Sequence, residues 1–152
     1  NQIMKVNDKI PELILKDQNN QDISVYEALK EDPVILYFYP KGNTLRFTRE
    51  ACGFRGVMSE FIGKNVRVMG ISGDSPKSHQ KFAAQYNLPF TLLSDQGNKI
   101  RKMFKVPKSY FGLIAGRVTY IIDEKKVIRG IINSHSNAMK HVVESLAIVN
   151  SL

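Results

Sequence analysis

Val34-Ile35-Leu36-Tyr37-Phe38-Tyr39 runs straight into Pro40-Lys41-Gly42-Asn43-Thr44-Leu45-Arg46-Phe47-Thr48-Arg49-Glu50-Ala51-Cys52. The first six residues are aliphatic or aromatic, with no polar alternation. Such a run fits a central strand covered on both faces. Pro40 to Asn43 is loop, and Thr44 or the residues just after it can open a helix. Ala51, Phe54, Met58, Phe61 and Ile62 then recur at helical spacing until Gly63 ends the pattern. Strand, polar loop and helix start together make a place to hold a reactive group. The first N–H groups of a helix have no partner inside it and point at whatever lies in front of them.

Before this stretch, Leu13 to Leu15 and Asp22 to Ser24 flank an Asn-rich turn and predict a small hairpin. Val25 to Lys30 predicts a short helix that stops before Pro33. After it, Val66 to Ile71 predicts a strand. Ser75 then reads as the N-cap and Pro76 as the first position of a helix whose apolar face is Phe82, Ala83 and Tyr86, closed by Asn87. Phe90 to Leu93 predicts a strand, Asn98 to Phe104 a short basic helix, and Val106 to Gly116 a loop. Val118 to Ile122 and Val127 to Ile132 predict two strands joined by the short turn Asp123 to Lys126. Ala138 to Val149 predicts a last helix, with Val142, Val143, Leu146 and Val149 on one face and Asn137 as its cap. A βαβ crossover followed by ββα around one sheet is the thioredoxin-like α/β arrangement: a central mixed β-sheet flanked by helices, here with an N-terminal β-hairpin.

With 152 residues, 43% hydrophobic and 24% charged, the chain suits one soluble globular domain spanning 1–152. No apolar run approaches the roughly 20 residues that span a bilayer, so no membrane association is expected. Twenty-two basic residues against 14 acidic ones give a net charge of +8. They are spread along the chain, and the densest clusters, Lys99-Ile100-Arg101-Lys102 and Lys105 to Lys108, alternate with apolar residues as on the outer face of a helix. That pattern reads as solvated surface, and no nucleic-acid recognition module accompanies it. A single cysteine allows neither an internal disulfide nor a cysteine-based zinc site. His79, His135 and His141 have no ligand-like spacing, so neither a metal nor a cofactor is expected. The first residue is Asn1. A cytoplasmic location is expected, with an organellar one after removal of a targeting peptide left open.

Few residues could carry chemistry. Cys52 lies about one turn inside its predicted helix, and by itself reads either as a redox thiol or as a small buried helix residue. Thr44 and Arg117 could orient a peroxide and stabilise charge developing on oxygen, or Arg117 could form a surface ion pair; spacing leaves both open. Phe47 stands in the first helical turn, where a nucleophile or anion would be placed, and a phenyl ring there can only fill space. Glu50 offsets the helix dipole, and the Phe54, Met58 and Phe61 stripe reads as core. His79 and His141 read as surface residues.

Taken together, Val34 to Lys41, Thr48-Arg-Glu-Ala-Cys-Gly-Phe-Arg55, Gly70-Ile-Ser-Gly-Asp-Ser-Pro76, Ser78-His79, Tyr86-Asn-Leu-Pro89, Thr91-Leu-Leu-Ser-Asp95 and Gly116-Arg-Val-Thr-Tyr120 resemble a peroxiredoxin of the Q, or bacterioferritin-comigratory, type over nearly the full length. The resemblance implies a Pro-x-x-x-Thr-x-x-Cys peroxide pocket, matched here at Pro40 and Thr44, with Arg117 as the active-site arginine. It implies that Cys52 is the resolving cysteine and that Phe47 occupies the peroxidatic position. Leu45 and Arg46 stand where Pro-Gly is usual. The implied activity is reduction of hydrogen peroxide and organic hydroperoxides in antioxidant defence and redox homeostasis. Thioredoxin or a similar thiol is the implied reductant, and the chain acts as a monomer. With Phe47 in place the chain is expected to be inactive or severely impaired; the alternative is a non-catalytic redox-sensing or binding module that uses Cys52.

Overall fold

The computed structural model of the protein describes residues 4–39, 52, 66–106, 108–109, 114–115, 118–133 and 138–152. Among them, β3 (Val34–Phe38) is the axis of the fold. Its five side chains are all buried, as the absence of polar alternation requires. Val34, Leu36 and Phe38 join one hydrophobic cluster, and Ile35, Tyr37 and Tyr39 join a second on the opposite face. Alternation along the strand thus feeds two cores, and each large side chain so buried contributes roughly 1.5–3 kcal/mol.

Seven strands form one mixed sheet in the order β2-β1-β5-β4-β3-β8-β9. These are β1 (Ile14–Lys16), β2 (Asp22–Ser24), β4 (Arg67–Ser72), β5 (Thr91–Ser94), β8 (Val118–Ile122) and β9 (Ile128–Asn133) around β3. β3 and β5 both run parallel to β4, while β8 pairs antiparallel with β3 and β9 antiparallel with β8. Helices α1 (Val25–Leu29) and α3 (Lys99–Phe104) cover the Phe38 face, and α2 (Pro76–Tyr86) and α4 (Ala138–Asn150) cover the Tyr37 face. The expected thioredoxin-like α/β layering, with β1 and β2 as the N-terminal hairpin, is what is observed.

Local chemistry explains the boundaries. Ser75 Oγ accepts from the Ser78 N–H at 3.1 Å, Pro76 opens α2, and Asn87 closes it in the left-handed conformation at φ 52°. Gly70 sits opposite Tyr37 in register, and a Cβ there would lie 2.8 Å from the Tyr37 ring, so only glycine lets β4 pass beneath that ring. Three expectations need correction. The 106–116 stretch, expected to be loop throughout, contains two short antiparallel strands, β6 (Lys108–Ser109) and β7 (Ile114–Ala115). Val143, placed on the packed face of α4, is 61% exposed; the buried face is His141, Val142, Ser145 and Val149. Arg101, read as part of a solvated basic face, is only 6% exposed. The predicted helix from Thr44 to Gly63 lies outside the described residues except at Cys52, which is helical. The Asn137 cap lies outside them too.

Candidate active site

The carboxyl ends of β3, β4 and β5 point the same way. In an open α/β sheet, that is the side on which ligand sites are built. β3 delivers Tyr39, the residue bonded to Pro40. β4 delivers Ser72 and, just beyond it, Asp74. β5 delivers Ser94, and α2 brings His79 down onto all three strand ends.

These side chains form one buried polar network. His79 Nε2 lies 2.8 Å from Tyr39 Oη and 2.9 Å from Ser72 Oγ, and its Nδ1 lies 3.1 Å from Ser94 Oγ. Ser72 Oγ donates to Asp74 Oδ2 at 2.9 Å and accepts from the Asp74 N–H at 3.2 Å. Counting hydrogens fixes the imidazole. As a carboxylate, Asp74 only accepts, so the Ser72 hydrogen is committed to it. Ser72 must then accept from His79 Nε2–H, which leaves Nδ1 to accept from the Ser94 hydroxyl. Nε2–H is therefore shared between Ser72 and Tyr39 Oη. Burial disfavours the imidazolium and pushes the His79 pKa from 6.5 down to about 4, against a smaller opposing pull from Asp74. His79 is thus a neutral spacer between the Tyr39, Ser72 and Ser94 hydroxyls near pH 7.

The opposite face of the sheet supplies a second contact to the same residue. Asp95, just after β5, accepts from the Ile100 and Arg101 N–H groups at 2.8 and 2.9 Å and so pins the start of α3. Arg101 is thereby held under the sheet, its guanidinium 5.7 Å from the centre of the Phe38 ring. From there its Nη2 donates to the Tyr39 carbonyl oxygen at 3.0 Å. That carbonyl belongs to the peptide bond joining Tyr39 to Pro40. A third polar contact lies on β8, where Thr119 Oγ1 is 2.8 Å from His141 Nδ1 on α4. Thr119 is the register partner of Tyr37 and lies two residues after Arg117.

Both histidines expected at the surface are thus buried, His79 at 2% exposure and His141 at 0%. The signal for His79 was present in the sequence. Residues 79, 82, 83 and 86 lie on one helical stripe, and His79 extends the predicted Phe82-Ala83-Tyr86 face by one turn. Of the predicted site residues, Pro40, Thr44, Phe47 and Arg117 lie outside the described residues, while Cys52 is helical and half-buried. Among the described residues, no group of three His, Cys, Asp or Glu side chains could hold a metal ion, and no helix is long and apolar enough to cross a membrane.

Residues 6–131 match the model of the AhpC/TSA family. The chain belongs to the AhpC/TSA family, as a peroxiredoxin of the Q type. Among curated relatives of this peroxiredoxin is "Peroxiredoxin Q, chloroplastic" from Populus jackii, 46% identical over 142 residues, covering 93% of this chain and 66% of the relative. The protein of the same name from Triticum aestivum is 44% identical, covering 93% of this chain and 65% of the relative. The chain therefore spans about two thirds of the length of these relatives. Among solved structures, peroxidoxin BcpB from Mycobacterium tuberculosis superposes with a TM-score of 0.90 at 30% identity, covering 98% of each chain. A cysteine-to-serine mutant of PrxQ from Xylella fastidiosa superposes with a TM-score of 0.89 at 26% identity, covering 99% of this chain and 98% of that one.

Proposed function

We propose that the chain is a single peroxiredoxin domain, 1–152, built around a thioredoxin-dependent peroxidase site whose nucleophile is replaced by Phe47. In this reading Pro40, Thr44 and Arg117 form the peroxide pocket, and Cys52 is the resolving thiol. The observation that carries it is the combination of family membership with a sole cysteine five residues after Phe47.

In the family's reaction a thiolate attacks the peroxide O–O bond. One oxygen stays on sulfur as a sulfenic acid, and the other leaves as water or an alcohol. A resolving thiol then displaces water from the sulfenic acid to give a disulfide, which thioredoxin reduces by dithiol exchange. Carbon at the Phe47 ring offers no lone pair for the first step. The chain therefore does not turn over hydrogen peroxide or organic hydroperoxides by this cycle, and acts as a monomer without metal or cofactor. The word "chloroplastic" in the names of the plant relatives supports an organellar location over the cytoplasmic one.

The test is peroxide consumption with a thioredoxin system, for the chain as it stands and for Phe47→Cys. The expected result is background consumption by the first and turnover by the second. Rapid turnover by the unsubstituted chain would refute the assignment of Phe47. An inert Phe47→Cys would instead favour a non-catalytic redox-sensing or binding module that uses Cys52.

A further inference from the structure

We infer that His79 and Arg101 are positioning residues that clamp Tyr39 from opposite faces of the sheet and thereby set how the chain enters the turn at Pro40. The inference rests on the reading of that turn as a peroxide site. From the α2 side, His79 Nε2–H reaches Tyr39 Oη at 2.8 Å, and His79 is itself fixed by Ser72 and Ser94. From the α3 side, Arg101 Nη2 reaches the Tyr39 carbonyl at 3.0 Å, and Arg101 is held by the Asp95 contacts at the start of α3. One contact fixes the ring and the other fixes the peptide plane. A planar peptide carries its fixed orientation straight into the next nitrogen, which here belongs to Pro40. Proline has only one soft backbone dihedral left, since its φ is locked. Holding the Tyr39 carbonyl therefore limits the direction of the turn more than it would before any other residue.

The partners come from four separate places: the ends of β4 and β5, the first turns of α2, and the start of α3. His79 and Arg101 meet at 1%-exposed Tyr39, with Ser72 and Ser94 holding His79 in place. Tyr39 is also packed against Tyr37, with ring centroids 5.6 Å apart, so the clamp has a rigid floor. Among the described residues, His79 and Arg101 both act on Tyr39. Their effect passes through Tyr39.

The experiment uses the full chain carrying Phe47→Cys, with Arg101→Met, Arg101→Lys, His79→Ala or His79→Gln added singly. Two rates are read for the introduced thiol: oxidation by hydrogen peroxide and alkylation by iodoacetamide. Urea unfolding of each variant reports the folded fraction. A displaced turn should slow the peroxide reaction by roughly tenfold to a hundredfold, because that reaction needs aligned partners. Alkylation needs only an accessible thiolate and should stay within about twofold. Arg101→Lys and His79→Gln, which keep a donor, should recover part of the loss. Unchanged peroxide rates in all four variants would overturn the clamp, as would equal losses in both reactions. If Phe47→Cys itself shows no preference for peroxide, the functional reading fails. The clamp is then judged in the unsubstituted chain by the backbone amide resonances of residues 41–44. Arg101→Met and His79→Ala should shift those resonances while leaving β8 and β9 unmoved, and the absence of such shifts would overturn it.

Discussion

Acid should destabilise this protein through His79. Its pKa lies at about 4 in the folded chain and near 6.5 when unfolded. Between those two values the unfolded chain binds the extra proton and the folded chain does not, so stability falls as pH falls. The contribution is fully present above the unfolded value and is lost on approach to the folded one. A shift of that size corresponds to about 3 kcal/mol in all, most of which is lost between pH 7 and about 4.5. For a domain whose total stability is about 5–15 kcal/mol, that is a large share. The assay is urea unfolding across this pH window for the chain and for His79→Gln. Carboxylates that titrate in the same window are common to both and cancel in the difference. The His79→Gln curve should be flatter by about 2–3 kcal/mol over the window. Parallel curves would mean that folding leaves the His79 pKa at its ordinary value, so that burial does not hold the imidazole neutral through this window; a tilt of opposite sign would mean that it is charged in the fold.

Other perturbations probe the frame around it. Gly70→Ala places a Cβ 2.8 Å from the buried Tyr37 ring, and overpacking of this kind costs about 1–3 kcal/mol in the urea midpoint; an unchanged midpoint would show that the ring can retreat. Asp95→Ala strips both acceptors from the start of α3, which should cost about 1–3 kcal/mol and lower the melting temperature by roughly 2–4 °C per kcal/mol. Asp95→Asn should retain part of that loss, and a full-strength Asp95→Ala would contradict the capping role. Thr119→Val removes the hydroxyl that meets His141 Nδ1 inside the sheet–α4 layer, at a cost of about 1–3 kcal/mol. Thr119→Ser should cost less than Thr119→Val, and the reverse order in chemical denaturation would deny the hydrogen bond.

What sequence makes legible here depends on how far apart the partners lie. β3 is readable because its evidence is contained in five consecutive residues. The α2 caps are readable because Ser75, Pro76 and Asn87 act on their immediate neighbours. The family is readable because several such local motifs recur in order. The support of the turn is not readable in that way. His79 and Tyr39 are 40 residues apart, Arg101 and Tyr39 are 62 apart, and Thr119 and His141 are 22 apart. Residue type pointed the wrong way for Arg101, since Arg is mostly exposed, and gave no pointer for the two histidines, a type of intermediate burial. Helical periodicity points the right way for His79, and for Arg101 too once it is counted from Ile100 and Phe104, although the alternation around Arg101 also reads as an outer face. His79 continues the Phe82-Ala83-Tyr86 stripe, and Arg101 shares a face with Ile100 and Phe104. Where periodicity and residue type disagreed, periodicity was correct, because it reports the geometry of the helix while residue type reports only an average environment.

The same disagreement bears on why these polar groups are there. A buried guanidinium and a buried imidazole are expensive to desolvate, and well-packed apolar residues of similar volume commonly serve stability as well or better. Phe38, Phe104 and Tyr120 already pack against one another on the Arg101 side, with ring centroids 5.3 to 5.8 Å apart. Cohesion in that layer does not call for a charge. What an apolar side chain could not do is take a specific carbonyl or hydroxyl and fix its direction. Both contacts end on the one residue that precedes Pro40. The arrangement is better accounted for by a requirement on the geometry of Tyr39, the residue before Pro40, than by cohesion of the layer.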